Sequence, residues 1–163
     1  MAFLESRKAA VAKGATAEFR KMETGGPNAV KWKQLNDETI KVLQTTSKDL
    51  VLATRLAFGL FIEEGYPGLA TGLVILRDMS EDHWETMVPP VRRERGRAGA
   101  YDWLAEKLAP MVEAKNPEGN FNADVYIAHD ALLELDNALE QKMTKAQVAL
   151  GPLVRALRPY AKD

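Results

Sequence analysis

The apolar residues of this chain recur every three or four positions along most of its length. That spacing is typical of amphipathic helices, and the alternating runs and Asn-Gly turns that mark strands and hairpins are missing. The pattern therefore predicts an all-α fold, arranged as a single domain of about seven helices.

The predicted helices follow one another with short breaks. The first, second, third and sixth are expected over about residues 2–23, 30–45, 50–62 and 123–143. The fourth extends from a corner at residues 64–68 to Pro89-Pro90, because apolar residues keep helical spacing through Trp84 and Met87.

The last two predicted breaks depend on proline and on a capping signal. The fifth helix follows a loop at residues 91–97 and is expected to bend or break at Pro110. The seventh begins where Thr144 and Gln147 have the form of a capping box, and it is divided at Gly151-Pro152.

Two local signals define the central pair of helices. Thr46 or Ser47 is expected to cap the third helix, with Asp49 in its first turn at the positive end of the helix dipole. Gly65 suits a C-terminal αL position, and Pro67 suits the first turn of the next helix. The third and fourth helices are therefore expected to pack antiparallel.

The third helix is predicted to lie at the centre of the domain, because apolar residues surround it almost completely. Gly68 and Gly72, one turn apart in the fourth helix, permit close approach of a neighbouring backbone. Trp32, Trp84 and Trp103 lie on apolar stripes, which predicts core residues rather than a group that binds a cofactor.

Charge and composition exclude several classes of function. Twenty-two basic and 23 acidic side chains leave a net charge of -1, so no long-range field favours nucleic acid or anionic lipid. The absence of cysteine excludes disulfides and thiolate metal sites. No segment approaches the roughly 20 apolar residues of a membrane-spanning helix, and no signal peptide is evident. We expect a cytoplasmic protein without nucleic-acid binding or membrane insertion.

Side chains typical of catalytic and metal sites are sparse. His83 and His129 each stand alone on a predicted helix, outside any HExxH pair or spaced carboxylate cluster. GxSxG, GxGxxG and GxxxxGK[ST] patterns are absent. We therefore predict no catalytic residue, no cofactor and no metal site.

One basic loop and one acidic helix stand out in this nearly neutral chain. The loop carries Arg92, Arg93, Arg95 and Arg97, whereas residues 118–143 contain six carboxylates and a single basic residue. Such charges are commonly just solvated. The alternative is a pair of protein-docking patches, because complementary charge speeds encounter and sets orientation. The candidate docking residues are Arg92, Arg93, Arg95, Asp130 and Glu134.

A series of short motifs occurs between residues 30 and 108. It consists of Trp32, Ser47-Lys48-Asp49-Leu50, Glu64-Gly65-Tyr66-Pro67-Gly68-Leu69-Ala70-Thr71-Gly72-Leu73, Trp84-Glu85 with Pro89, and Arg97 followed by Trp103-Leu104. No single motif is diagnostic, but their order and spacing resemble the N-terminal ImpA-type domain of TssA proteins from bacterial type VI secretion systems. A weaker resemblance continues through residues 123–143 and 153–157.

The resemblance implies a non-catalytic assembly factor that takes part in baseplate, tail tube and sheath biogenesis through protein–protein contacts. Implied partners are baseplate, membrane-complex, tube and sheath subunits and other TssA copies, at the apparatus near the inner membrane. The matching residues are expected to act mainly in capping and packing. They are Ser47, Asp49, Leu50, Gly65, Gly68, Leu69, Gly72, Leu73, Trp84, Arg97 and Trp103.

The resemblance also bears on domain organisation. Residues 1–163 are expected to form one ImpA-type domain, with a family-like core at about 30–108 and C-terminal helices at 123–160. Family members are normally longer, so the C-terminal region that builds their ring oligomer is expected to be absent.

Two other classes of function stay open at this point. A small helical enzyme would gather residues such as Arg55, Glu63 and His83 in a deep polar pocket. A nucleic-acid-binding module would align the 92–97 arginine cluster with basic residues near the N-terminus, Arg7, Lys8 and Lys13, on one face.

Overall fold

The computed structural model describes Phe19, residues 30–118 and residues 122–161. This part of the chain forms six α-helices and a final 3-10 turn, and it contains no strand. The elements are α1 (Trp32–Thr45), α2 (Leu50–Glu64), α3 (Tyr66–Asp82), α4 (Glu94–Ala114), α5 (Asn122–Lys142), α6 (Gly151–Leu157) and the 3-10 helix Arg158–Ala161. The all-α prediction is confirmed, with six α-helices instead of about seven.

The predicted first helix, residues 2–23, lies outside the described residues except for Phe19. Phe19 is helical and buried, and its ring centroid lies 6.2 Å from that of Trp32. The following helix, α1, shows why the apolar spacing predicted it: Trp32, Leu35 and Val42 share one buried face.

The pair α2 and α3 lies at the centre of the bundle and is antiparallel. Gly72 faces Ala57 and Gly68 faces Leu60, so residue numbers run in opposite directions along the crossing. A Cβ atom on Gly72 would lie only 2.6 Å from the Cα atom of Ala57. The predicted antiparallel packing and close approach of backbones are therefore confirmed.

The corner between α2 and α3 is formed by Gly65, with φ 71° and ψ -139°. The predicted αL conformation was wrong in ψ, but this positive-φ region is even more strongly restricted to glycine. The Gly65 N–H donates to the carbonyl oxygen of Phe61 at 2.9 Å, which closes α2. Pro67 lies in the first turn of α3, as predicted.

The other helices are arranged around this pair. α3 lies between α2 and α5 and contacts both extensively, while α2 also packs against α1 and α4, and α6 packs against α4. The predicted limits of α5 are confirmed to within a residue at each end. Its inward-facing residues are fully buried, again as predicted: Val125, Ala128, Leu132, Leu135 and Leu139.

The N-terminus of α2 is capped by Asp49, so the prediction of Thr46 or Ser47 was wrong. The Oδ1 atom of Asp49 accepts a hydrogen bond from the N–H of Leu52 at 3.1 Å. The backbone of Asp49 is still extended, and helical geometry begins only at Leu50. The two hydroxyl residues therefore lie too early in the chain to reach the free N–H groups.

The predicted end of α3 at Pro89-Pro90 was also wrong, because α3 ends at Asp82. Trp84 and Met87 keep helical spacing and are buried, yet they reach the core from an irregular loop. The spacing of apolar residues cannot distinguish a buried loop residue from a buried helical one. A hydrogen-bonded attachment to α2, described below, holds the loop instead.

The next helix differs from the prediction at both ends. α4 begins at Glu94, so Arg95 and Arg97 belong to a helix and not to the loop predicted at 91–97. α4 also continues through Pro110 to Ala114 without the predicted break. Pro110 is exposed on the surface of the helix.

The predicted seventh helix does not begin at Thr144. Instead, the N–H groups of Thr144, Lys145 and Ala146 donate to the carboxylate of Glu94, so these residues form an irregular connector. The hydroxyl of Thr144 also bonds to Glu94, at 3.1 Å, and is not used in a capping box. Helix resumes at Gly151, so only the second half of the predicted helix is confirmed.

Candidate functional site: the loop between α3 and α4

The loop at residues 83–93 is attached to the N-terminus of α2. The N–H of Leu50 donates to the carbonyl oxygen of Val88 at 2.7 Å, and the N–H of Val88 donates to that of Lys48 at 2.9 Å. These two bonds flank Asp49, whose side chain caps α2. Burial raises the pKa of Asp49, while backbone N–H donors of α2 oppose the shift. The cap and the loop attachment thus occupy the same short stretch of backbone.

A buried arginine holds the loop from the opposite side. Arg97 is fully buried, and its Nε donates to the carbonyl oxygen of Pro89 at 2.7 Å. Its Nη2 donates to the carbonyl oxygen of Met87 at 2.9 Å. Burial lowers the pKa of Arg97 below its ordinary value. The cationic donors fix the buried carbonyl group of Met87 and the part-buried carbonyl group of Pro89.

Trp84 completes the attachment of the loop. The Trp84 side chain is buried, and the guanidinium carbon of Arg97 lies 4.7 Å from the ring centroid. The Nζ atom of Lys142, at the end of α5, lies 5.7 Å from the same centroid. Both distances are within the range of cation–π contacts. The loop is therefore fixed to α2, α4 and the C-terminal end of α5.

The outer side of this fixed loop is apolar and basic. Val88 and Val91 are large apolar side chains with 47% and 38% of their surface exposed. Arg92, Arg93 and Arg95 are exposed beside them. We call this set the basic loop surface; its residues are Val88, Val91, Arg92, Arg93 and Arg95. This surface thus combines exposed positive charge with exposed apolar side chains.

The one carboxylate within the arginine cluster is used inside the molecule. Glu94 accepts from the N–H groups of Thr144 at 2.8 Å, Lys145 at 2.5 Å and Ala146 at 2.7 Å. Donation to the carboxylate, led by the Thr144 N–H, lowers the pKa of Glu94 to about 2. Glu94 thereby joins α4 to the α5–α6 connector. Its carboxylate is used there and not by the neighbouring arginines.

The acidic candidates lie elsewhere, on the outer side of α5. Asp130 and Glu134 are both exposed, and Glu134 also accepts from Arg77 of α3 at 3.4 Å. Lys142, which reaches the loop, is eight residues beyond Glu134 on the same helix. At 1.5 Å per residue the separation along the axis is about 12 Å. The structure therefore does not bring the basic and acidic candidates together within one molecule.

Comparison with known proteins gives one family match. The sequence profile of the family described as ImpA, N-terminal, type VI secretion system matches residues 1–106. The chain belongs to the ImpA N-terminal family. No curated protein and no solved structure matches it. The predicted resemblance is confirmed, and it begins at residue 1 rather than at about residue 30.

The ImpA N-terminal match covers α1 to α3, the loop and the first part of α4. It identifies the protein as one associated with type VI secretion. The chain's own α5 and α6 lie beyond the matched residues, so Asp130 and Glu134 do too. Within the described segments, no helix is long and apolar enough to cross a membrane.

Nine of the eleven residues that carry the ImpA N-terminal resemblance fall into two groups. Five of them line or adjoin the crossing of α2 and α3: Gly65, Gly68, Leu69, Gly72 and Leu73. Asp49, Leu50, Trp84 and Arg97 meet instead around the loop. Ser47 and Trp103 belong to neither group; Ser47 is half-buried before α2, and Trp103 is only partly buried on α4.

The structure corrects two of the sequence-based assignments. Arg97 is not part of an exposed cluster of four arginines, because its side chain is turned inward. Arg97, Tyr101, Leu104 and Leu108 follow at helical spacing and are all buried, a signal that was present in the sequence. Trp103, predicted to lie in the core, packs at the core edge with the guanidinium carbon of Arg55 at 3.8 Å from its ring centroid.

The three candidate residues of the enzyme alternative make separate contacts. Arg55 stacks on Trp103, and Glu63 accepts a hydrogen bond from Asn36 at 2.9 Å. His83 is the C-cap residue that follows α3. An open cleft of about 430 Å³ lies between α5 and the connector, but its lining contains none of these three. Arg7, Lys8 and Lys13, which the nucleic-acid alternative needs, lie outside the described residues.

Proposed function

We propose that this chain is a non-catalytic docking domain in type VI secretion, and that the basic loop surface contacts an acidic surface of another component. The observation that carries the proposal is the loop itself. Its buried side is held by Leu50, Trp84 and Arg97, whereas its exposed side presents valines and arginines. In this arrangement the distinctive residues fix a surface in place and take no part in a reaction.

The proposed partners are subunits of the baseplate, membrane complex, tube or sheath, and other copies of the protein. Through them the domain would take part in baseplate, tail tube and sheath biogenesis, in the bacterial cytoplasm close to the inner membrane. Residues 1–163 act as one unit in this proposal. Membership of the ImpA N-terminal family supports a role in type VI secretion. The exposed arginines beside exposed valines support the proposed mode of contact.

The test measures binding of the full chain to each purified subunit of the same secretion system. Reversing three charges in the variant Arg92→Glu, Arg93→Glu, Arg95→Glu is expected to weaken binding to the cognate subunit by about tenfold or more. The fold is expected to persist, because all three side chains are exposed. Unchanged thermal unfolding would verify that the loss concerns the surface.

A matched control carries the same change in net charge away from the loop. The control replaces three exposed lysines by Glu: Lys31 before α1, Lys41 in α1 and Lys107 in α4. This variant is expected to bind nearly as well as the wild type. Equal binding by the loop variant and the wild type would refute the proposed contact. Equal losses in both variants would also refute it, because the effect would then reflect net charge alone.

A further inference from the structure

Exposed large apolar side chains in the described part of the chain fall in only two places. Val88 and Val91 belong to the basic loop surface, and the others lie on α5. Tyr126, Ile127 and Leu133 are 36%, 47% and 42% exposed, and they share the outer face of α5 with the two acidic candidates. We call this set the acidic helix surface; its residues are Tyr126, Ile127, Asp130, Leu133 and Glu134.

The members of the acidic helix surface lie on one side of α5, because at 3.6 residues per turn their five positions fall within roughly a third of the helix circumference. One surface thus places valines among arginines. The other places an aromatic and two aliphatic residues beside the carboxylates of Asp130 and Glu134, of which Glu134 also accepts from Arg77 at 3.4 Å. The two surfaces carry charges of opposite sign. Both also contain apolar side chains from which contact would displace water.

The two surfaces cannot meet within one molecule. Lys142 contacts Trp84 at the loop, and the residues of the acidic helix surface lie about 12 to 24 Å back along the axis of α5. The loop backbone is also held by Leu50 and Arg97, so it cannot swing across that distance. Complementary surfaces that lie apart on one chain favour contact between copies.

We infer that the basic loop surface of one copy binds the acidic helix surface of a second copy, in a head-to-tail contact. This inference rests on the proposed function, because it gives the basic loop surface the same docking role and names one partner. Each copy keeps one free surface of each kind after the first contact. The association therefore continues to a ring or an open chain and does not stop at a symmetric dimer.

Sedimentation of the full chain at low salt and rising concentration tests the inference. The wild type is expected to form species larger than a dimer, and high salt is expected to disperse them because exposed charges are screened. A loop variant, Arg92→Ser, Arg93→Ser, Arg95→Ser, and a helix variant, Ile127→Gln, Leu133→Gln, are each expected to lose self-association by about tenfold or more. The control variant Lys31→Ser, Lys41→Ser, Lys107→Ser is expected to associate like the wild type.

Mixing the two variants gives the decisive result. The helix variant retains an intact loop surface, and the loop variant retains an intact helix surface, so the mixture is expected to form a 1:1 complex that grows no further. A mixture of monomers, or a wild type that stays monomeric at low salt, would overturn the inference. A wild type that stays monomeric but still binds a secretion subunit through the arginines would refute the head-to-tail contact and leave the proposed function intact.

Discussion

At the scale of single residues, the geometry of the α3–α4 loop depends on Arg97. Its guanidinium replaces, for the carbonyl groups of Met87 and Pro89, the partners that a strand or helix would have supplied. The same group stacks near Trp84. Lysine could not reproduce these contacts, because it offers a point charge instead of a planar fork of donors.

We predict that Arg97→Met lowers the free energy of unfolding by about 2–4 kcal/mol, because one buried and one part-buried carbonyl group lose charged donors. Chemical denaturation measures this value. The control is Arg95→Met, two residues away and exposed, for which a change within about 0.5 kcal/mol is expected. Similar stabilities of the two variants would contradict the role assigned to Arg97.

At the scale of elements, the crossing of α2 and α3 determines where the other helices pack. The absence of a Cβ atom at Gly68 and Gly72 lets the two backbones approach closely, and α5 then covers the other side of α3. Gly99 of α4 provides a natural contrast, because a Cβ atom there would meet no atom within 4 Å.

The variant Gly72→Ala is expected to lose about 1–3 kcal/mol of stability, since the added methyl group overlaps Ala57 and the helices must separate. Gly99→Ala is expected to gain roughly 0.5–1 kcal/mol from improved helix propensity. Thermal or chemical unfolding of both variants checks the pair. A gain of stability in both variants would show that helix propensity, and not the crossing, governs Gly72.

The sequence could predict the helices whose apolar spacing is uninterrupted, and it failed where distant residues decide. α5 was located to within a residue at each end because its buried face is regular. The failure at Thr144 has a physical cause, because Glu94 lies fifty residues away and takes the N–H groups of the connector. Trp84 misled the prediction of α3 in a similar way, because its ring is buried by contacts with Arg97 and Lys142.

The candidate site was predicted only in part. The exposed arginines Arg92, Arg93 and Arg95 were identified from charge alone, since clustered charge is visible in a sequence. The inward turn of Arg97 was missed, because its two carbonyl partners come from a loop that bends back on α2. Periodicity reports burial on a helix, but it does not report which backbone groups lie opposite.

At the scale of the whole molecule, Glu94 links α4 to the connector that leads into α6. Its three backbone donors come from consecutive residues, and Asp102 of α4 accepts in addition from the N–H of Ala149 at 2.6 Å. Two carboxylates of one helix thus hold the C-terminal part of the bundle in place.

The contribution of Glu94 to stability is expected to depend on pH. The pKa of this carboxyl is about 2 in the folded chain, compared with an ordinary value of 4.5. The folded state therefore gains stability above pH 4.5 and loses it as the pH falls toward 2. Hydrogen exchange at the amides of Thr144, Lys145 and Ala146 is expected to show that loss in the wild type.

Glu94→Gln is expected to remove this pH dependence and to leave the connector less protected at neutral pH. The control is Glu106→Gln, an exposed glutamate of the same helix, for which wild-type behaviour is expected. Persistence of the acid-induced change in Glu94→Gln would assign it to another group.

The double attachment of the α3–α4 loop has a kinetic consequence. Because hydrogen bonds from α2 and α4 fix the loop in advance, a partner that docks as proposed would meet a preformed face and would not wait for a segment to order. In the proposed contact, diffusion and ionic strength would then limit encounter, and the exclusion of solvent by the valine contacts would govern the lifetime of each complex.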